Sequence, residues 1–281
     1  MEKEIPPQRE PPMMDQTSPD YTRLDVPEVL LRLFHPRPEL SFSAANPSAR
    51  DLLIPVDDHA AVGARFHPAA AAAPTLLFFH GNGEIVADYD ELAPFYQRQG
   101  LNFLPVDYRG YGRSTGAPTV SAMMRDCHTI LAFARQWLPE TGYRGPLMVM
   151  GRSLGSAPAL ELAASYPEQI AALIVESGFA YAGPLLQLLG VDLAAIGFKE
   201  MAGFRNVDKI RAYSGPTLII HAEDDHIIPV RDGQALYAAS AAPDKTLLKI
   251  PHANHNDILL QGFTVYMTAI QALAAKISGG L

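Results

Sequence analysis

The chain has 281 residues, 48% of them hydrophobic and 19% charged, enough apolar mass to bury the core of one large domain or two small ones. A formal charge of -8 with no cluster of Lys or Arg argues against a nucleic-acid partner, because phosphate neutralisation needs concentrated positive charge. The single cysteine, Cys127, excludes an internal disulfide and a cysteine-based zinc cluster.

The chain begins Met1-Glu-Lys-Glu-Ile-Pro-Pro, without the basic start and apolar run of a signal peptide. No stretch reads as the twenty or so apolar residues of a membrane span, so a cytoplasmic protein without a transmembrane segment is expected. Residues 1–40 hold eight prolines among charges. Residues 1–49 therefore read as a proline-rich arm, either mobile or lying over a domain formed by residues 50–281.

From residue 51 onward, short β-branched runs alternate with longer helical patterns, the signature of a largely parallel sheet covered on both faces. Strands are predicted at Leu52–Pro55, Ala61–Phe66, Thr75–His80, Asn102–Val106, Leu147–Met150, Ala171–Val175, Thr217–His221 and Thr246–Ile250, the first two as a hairpin. Helices are predicted at Ile85–Gln99, Val120–Trp137, Leu154–Ser165, Gly233–Ala239 and Asp257–Ile277. Cys127 and Trp137 fall on the apolar stripe of the second helix and read as core. The last helix carries Leu259, Phe263, Tyr266, Ile270, Leu273 and Ile277 on one stripe, which should pack on the sheet. Residues 181–214 break the alternation with an apolar, helix-prone insertion, read as a small helical cap.

The strand Leu147–Met150 runs into Gly151-Arg152-Ser153-Leu154-Gly155. This G-x-S-x-G pattern, at a turn too tight for flanking side chains, presents Ser153 as a nucleophile. The following helix starts near Leu154, so its free N–H groups lie where negative charge develops in acyl transfer. Serine needs a base, and the base an orienting acid. Candidate acids Asp224 and Asp225 follow the strand ending at His221; candidate bases His252 and His255 follow the strand ending at Ile250. Loops at the carboxyl ends of neighbouring parallel strands share one rim, so both can reach Ser153. The strand Thr75–His80 ends in Gly81-Asn82-Gly83-Glu84, a turn whose backbone N–H, with that of Leu154, suits an oxyanion hole.

These motifs, with Asp107-Tyr-Arg-Gly-Tyr-Gly-Arg-Ser114, Glu176-Ser177, Asn206-Val-Asp-Lys-Ile210 and Asp224-Asp-His-Ile-Ile-Pro229, resemble the α/β-hydrolase superfamily. Within it, the small-capped depalmitoylase-like and thioesterase-like serine hydrolases are most similar, over roughly residues 50–278. The resemblance implies an α/β-hydrolase fold: a mostly parallel eight-stranded central sheet, helices on both faces and a small helical cap. It places the nucleophile on Ser153, the acid on Asp225 and the base on His255. The oxyanion donors fall on the backbone of Asn82 and Leu154. Ala222 stands where the family often has glycine, and His252-Ala-Asn254 where Gly-Ala-Gly is common.

On the blander side, Asp224 reads as a solvated carboxylate, His252 as loop packing, His226 as a rim residue and His80 as structural. Arg152 reads as a packing or ion-pair residue outside the site. Asp107, Arg109 and Ser114 read as a turn and salt-bridge network. A metal site built from His221, His226, His252 and Asp257 is disfavoured, because these residues share no helical face and the serine turn already accounts for the cluster. The expectation is a serine hydrolase of carboxylic esters or thioesters, with no metal and no cofactor, acting on a small-molecule or acylated substrate. A serine peptidase and a noncatalytic binding protein on the same fold are the alternatives, and the oligomeric state is left open.

Overall fold

The computed structural model describes residues 20–40 and 47–279. Among them, eight strands form one sheet in the order β1-β2-β4-β3-β5-β6-β7-β8. β1 (Arg50–Pro55) and β2 (Ala61–Phe66) make an antiparallel hairpin, and β2 meets β4 (Asn102–Val106) antiparallel. β4, β3 (Thr75–Phe79), β5 (Leu147–Arg152), β6 (Ala172–Glu176), β7 (Thr217–Ala222) and β8 (Lys245–Ile250) run parallel. Strands β3, β4, β6 and β7 are buried along their whole length, as parallel strands covered on both sides must be.

Two apolar layers sandwich the sheet. One holds α3 (Val120–Glu140), α4 (Ser156–Ser165), α6 (Asn206–Ala212) and α7 (Val230–Ala239) against residues such as Leu77, Val149 and Ile219. The other holds α2 (Ala93–Arg98) and α8 (Ile258–Ser278) against Phe78, Met150 and Ile220. Alternate residues of one strand thus serve opposite layers.

Three expectations are corrected. The helix expected over Ile85–Gln99 is broken into a 3₁₀ turn at Val86–Tyr89 and α2; Pro94, which has no N–H to donate, sits where only a helix's first turn tolerates it. α8 is, among the described residues, a helix long and apolar enough to cross a membrane, contrary to the reading that no such segment exists. One of its faces lies on the sheet, burying Tyr266, Met267, Ile270, Leu273 and Ala274.

The third correction concerns the arm. α1 (Pro27–Leu33), started by a proline at its first position, packs Val29 and Leu33 with Tyr21, Leu24 and Phe34 into the main core. Glu39 inserts beside Arg65, which also binds Asp51 and Asp90. The proline count masked this amphipathic turn. Residues 1–19 and 41–46 of the expected arm lie outside the described residues.

The insertion after β6 folds into α5 (Ala182–Leu188) and a 3₁₀ turn at Glu200–Ala202. The Glu200 carboxylate accepts the N–H groups of Ala182 (2.7 Å) and Gly183 (2.8 Å), capping α5. α1 leans on this insertion: Arg32 donates to the Leu189 carbonyl at 2.8 Å, and Glu28 accepts the Asp192 N–H at 3.1 Å.

Candidate active site

Ser153 follows β5 directly, in a 3₁₀ turn leading into α4. Its φ of 51° is left-handed, a strain of about 1–3 kcal/mol for a residue with a side chain. Close backbone approach holds it there. A Cβ on Gly151 would lie 2.1 Å from the Gly155 carbonyl oxygen, and one on Gly155 2.1 Å from that of Phe79. Ser156 Oγ donates to the Ser153 carbonyl at 2.6 Å, pinning the turn from the helix side.

His255 Nε2 lies 3.0 Å from Ser153 Oγ, and its Nδ1 lies 2.7 Å from Asp225 Oδ2. An ionised carboxylate can only accept, so Nδ1 carries the proton and Nε2 presents a lone pair to the serine hydroxyl. All three residues are buried. Asp225 Oδ1 accepts the N–H groups of Ile227 (2.9 Å) and Ile228 (2.8 Å). Burial works to raise the Asp225 carboxyl; the hydrogen bond and charge of His255 and these two N–H groups overcome it and hold it below the usual range.

Behind the acid, His221 Nε2 donates to the Ile228 carbonyl at 2.8 Å and lies 3.7 Å from Asp225 Oδ2. Burial lowers its pKa, keeping a neutral ring at the back of the carboxylate. Asp224 is exposed. His226 contacts Asn254 Oδ1, which also accepts the His255 N–H at 2.5 Å, so a rim histidine clasps the acid loop to the base loop. His252 does not pack in its loop: it is exposed, at a φ of 60°.

The turn after β3 is held from three sides. Asn82 Oδ1 accepts the His35 N–H and the Tyr111 hydroxyl, each at 2.8 Å, while Arg37 Nε donates to the Gly83 carbonyl at 2.7 Å. Residues of the arm thus brace the turn that carries Asn82. Leu154 occupies the second position of the 3₁₀ turn, where a backbone N–H has no intrahelical acceptor. His80, beneath, bonds the Gly81 carbonyl and Asp107. Asp107, Arg109 and Ser114 each form contacts, but with other elements: Asp107 accepts the Val86 N–H, Arg109 pairs with Asp126 and Asp57, and Ser114 Oγ accepts the Gly63 N–H.

Arg152, read from the sequence as a packing or ion-pair residue, does form ion pairs. Its guanidinium pairs with Glu84 and with Glu176 (3.1 Å) and donates to the His255 carbonyl at 2.9 Å. Opposite charges at the carboxyl ends of three neighbouring strands, Glu84 after β3, Arg152 on β5 and Glu176 on β6, were the available signal. Among the described residues no group of three or more His, Cys, Asp or Glu is arranged to hold a metal ion.

A family model described as "Serine aminopeptidase, S33" matches residues 70–196, a span that includes Asn82 and Ser153 and stops before Asp225 and His255. "Alpha/beta hydrolase domain-containing protein 17B" of Homo sapiens is 33% identical over 198 residues, 67% of this chain and 62% of that protein. "Alpha/beta hydrolase domain-containing protein WAV2" of Arabidopsis thaliana is 30% identical over 208 residues, 69% of this chain and 67% of that protein. Among solved structures, the esterase Pf2001 of Pyrococcus furiosus superposes with a TM-score of 0.68 at 18% identity, covering 86% of this chain and 98% of that one. Est1E of Butyrivibrio proteoclasticus, solved with ferulic acid bound, gives 0.66 at 17% identity, covering 80% and 98%.

Proposed function

The chain belongs to the α/β-hydrolase domain-containing proteins, and from that footing we propose that it is a serine hydrolase of carboxylic esters or thioesters, working through Ser153, His255 and Asp225. The observation that carries this reading is the unbroken line of contacts from Ser153 Oγ through the His255 ring to Asp225, at 3.0 and 2.7 Å. Ser153 Oγ attacks the carbonyl carbon as its proton passes to His255 Nε2, and Asp225 stabilises the imidazolium that forms. The backbone N–H groups of Asn82 and Leu154 bind the oxyanion, one such donor contributing about 3 kcal/mol. The proton on Nε2 leaves with the alcohol or thiol. Water, deprotonated by the same ring, then attacks the acyl-serine and restores the enzyme.

Next to the acid loop a cavity of about 140 Å³ has an apolar side, Pro184, Leu185 and Leu188 of α5 with Ile227 to Pro229, and a polar side made by His226, Arg231 and Asp232; its apolar side is a candidate seat for part of the acyl group. The esterases among the structural neighbours support ester chemistry. The description of the family model supports a second reading, a peptidase, in which the same ring must deliver its proton to an amine.

The test is labelling with a fluorophosphonate probe, alongside turnover of p-nitrophenyl esters of rising acyl length, acyl thioesters and aminoacyl p-nitroanilides. Wild-type protein should label and turn over esters or thioesters, and Ser153→Ala should abolish labelling and cut turnover by at least about a thousandfold. Labelling that persists in Ser153→Ala sinks the assignment of the nucleophile. Anilide turnover exceeding ester turnover sinks the ester reading in favour of the peptidase.

A further inference from the structure

Arg152 occupies a position that burial alone would discourage. A guanidinium is costly to desolvate unless nearly every donor is matched, and its side chain is only 12% exposed. Each of its three nitrogens has an acceptor. One carboxylate, Glu84, belongs to the turn that carries Asn82; a second, Glu176, ends β6; the third acceptor is the main-chain carbonyl of His255. The residue itself is joined by a peptide bond to Ser153. One planar group therefore touches the segment of every residue proposed to act on the substrate carbonyl, apart from Asp225.

The chain of contacts continues outward from Glu84. Its other oxygen accepts the Gly81 N–H at 2.6 Å and the Tyr89 hydroxyl at 2.7 Å, so the arginine is tied through a carboxylate to the backbone next to Asn82. A Cβ on Gly81 would fall 2.6 Å from Arg152 Nη1, which explains the bare backbone there. On the other side Glu176 Oε2 accepts the Tyr266 hydroxyl at 2.5 Å, anchoring the cluster to α8. Burial opposes the Glu84 charge, and Arg152 together with the Tyr89 and Gly81 hydrogen bonds outweighs that opposition, leaving the carboxyl below its ordinary range.

We propose that Arg152 is a positioning residue, a brace whose guanidinium fixes the separation between the turn after β3 and the His255 loop and thereby places both around Ser153. This rests on the serine-hydrolase reading above. Only a fork of five donors meets three acceptors in different directions; the single ammonium of lysine cannot span them. Nothing in this arrangement touches a substrate, so the loss should fall on the chemical step rather than on binding.

The experiment compares wild type with Arg152→Lys and Glu84→Gln, the latter keeping an acceptor for the Gly81 N–H. Ester kcat, KM and Tm are measured, together with the downfield proton resonance of the His255 Nδ1–H···Asp225 hydrogen bond, identified by its absence in Asp225→Ala. Arg152→Lys is expected to lower kcat about 100-fold, the cost of misplacing a reacting group by about 1 Å, with KM within about threefold. The resonance should shift or vanish. Glu84→Gln should move kcat and the resonance in the same direction by less. A kcat within about threefold of wild type, or a resonance unmoved in both folded variants, overturns the proposal. If Arg152→Lys does not fold, Glu84→Gln carries the decision by the same two criteria. Wild-type protein that neither labels nor turns over esters would sink the hydrolase reading, while the resonance would still decide the brace.

Discussion

The two neighbouring aspartates, one residue apart, end in opposite surroundings. Asp225 is buried against His255, whereas Asp224 is exposed and its N–H donates to the Ala253 carbonyl at 2.9 Å. Asp225→Asn should therefore lower kcat by about ten-thousandfold, because an amide can donate to Nδ1 and fix the wrong tautomer. Asp224→Asn should leave it within about threefold. Steady-state ester kinetics on the two variants checks the ranking, and a larger loss in Asp224→Asn reassigns the acid. At this scale the sequence was readable wherever a residue's context is local: a serine between glycines, an acid and a histidine just past strand ends. Arg152 was not readable in that way. Its ion-pair partners stand 68 and 24 residues away in the chain, and no local pattern couples them.

At the scale of elements, the turn that presents Ser153 is made by contact between backbones. Gly155→Ala would press a methyl group into the Phe79 carbonyl at 2.1 Å. The expected cost is about 3 kcal/mol, a fall in Tm of roughly 6–12 °C for a domain of this size, with loss of fluorophosphonate labelling. The arm gives a second expectation. Leu24 is fully buried, so Leu24→Ala should destabilise the whole domain by about 2–5 kcal/mol in denaturant unfolding, where a surface strap would show no change. Strand positions were legible because buried parallel strands are short, apolar and β-branched. The break at Pro94 and the docking of α1 were less so, since a short amphipathic turn among prolines has the composition of a linker.

At the scale of the whole molecule, buried ionisable groups tie elements together and make stability depend on pH. His67 is fully buried, and burial, more than the opposing attraction of Asp90, lowers its pKa from 6.5 to about 4. The folded value lies below the unfolded one, so on acidification the unfolded chain takes up the proton first. Stability contributed by neutral His67 is therefore whole above about pH 6.5 and drains away toward pH 4, by about 3 kcal/mol. Denaturant titrations of wild type and His67→Phe across this window should show a shallower loss in the variant; parallel curves would locate the acid sensitivity elsewhere.

By itself the sequence determined the alternation of strands and helices, a largely parallel sheet and a rim reached in turn by Ser153, by Asp224 or Asp225 and by His252 or His255, a choice that only the family resemblance narrowed. Those follow from hydrophobic period and from residues adjacent in the chain, which one stretch of sequence carries whole. Only the tertiary structure decided what braces that rim: Arg152 among Glu84, Glu176 and the His255 carbonyl, and His35 and Arg37 of the arm on the turn of Asn82. These contacts join segments far apart in the chain, and the pairing of their charges and hydrogen bonds is settled by how the sheet and its loops pack, a distance that no period in the sequence encodes.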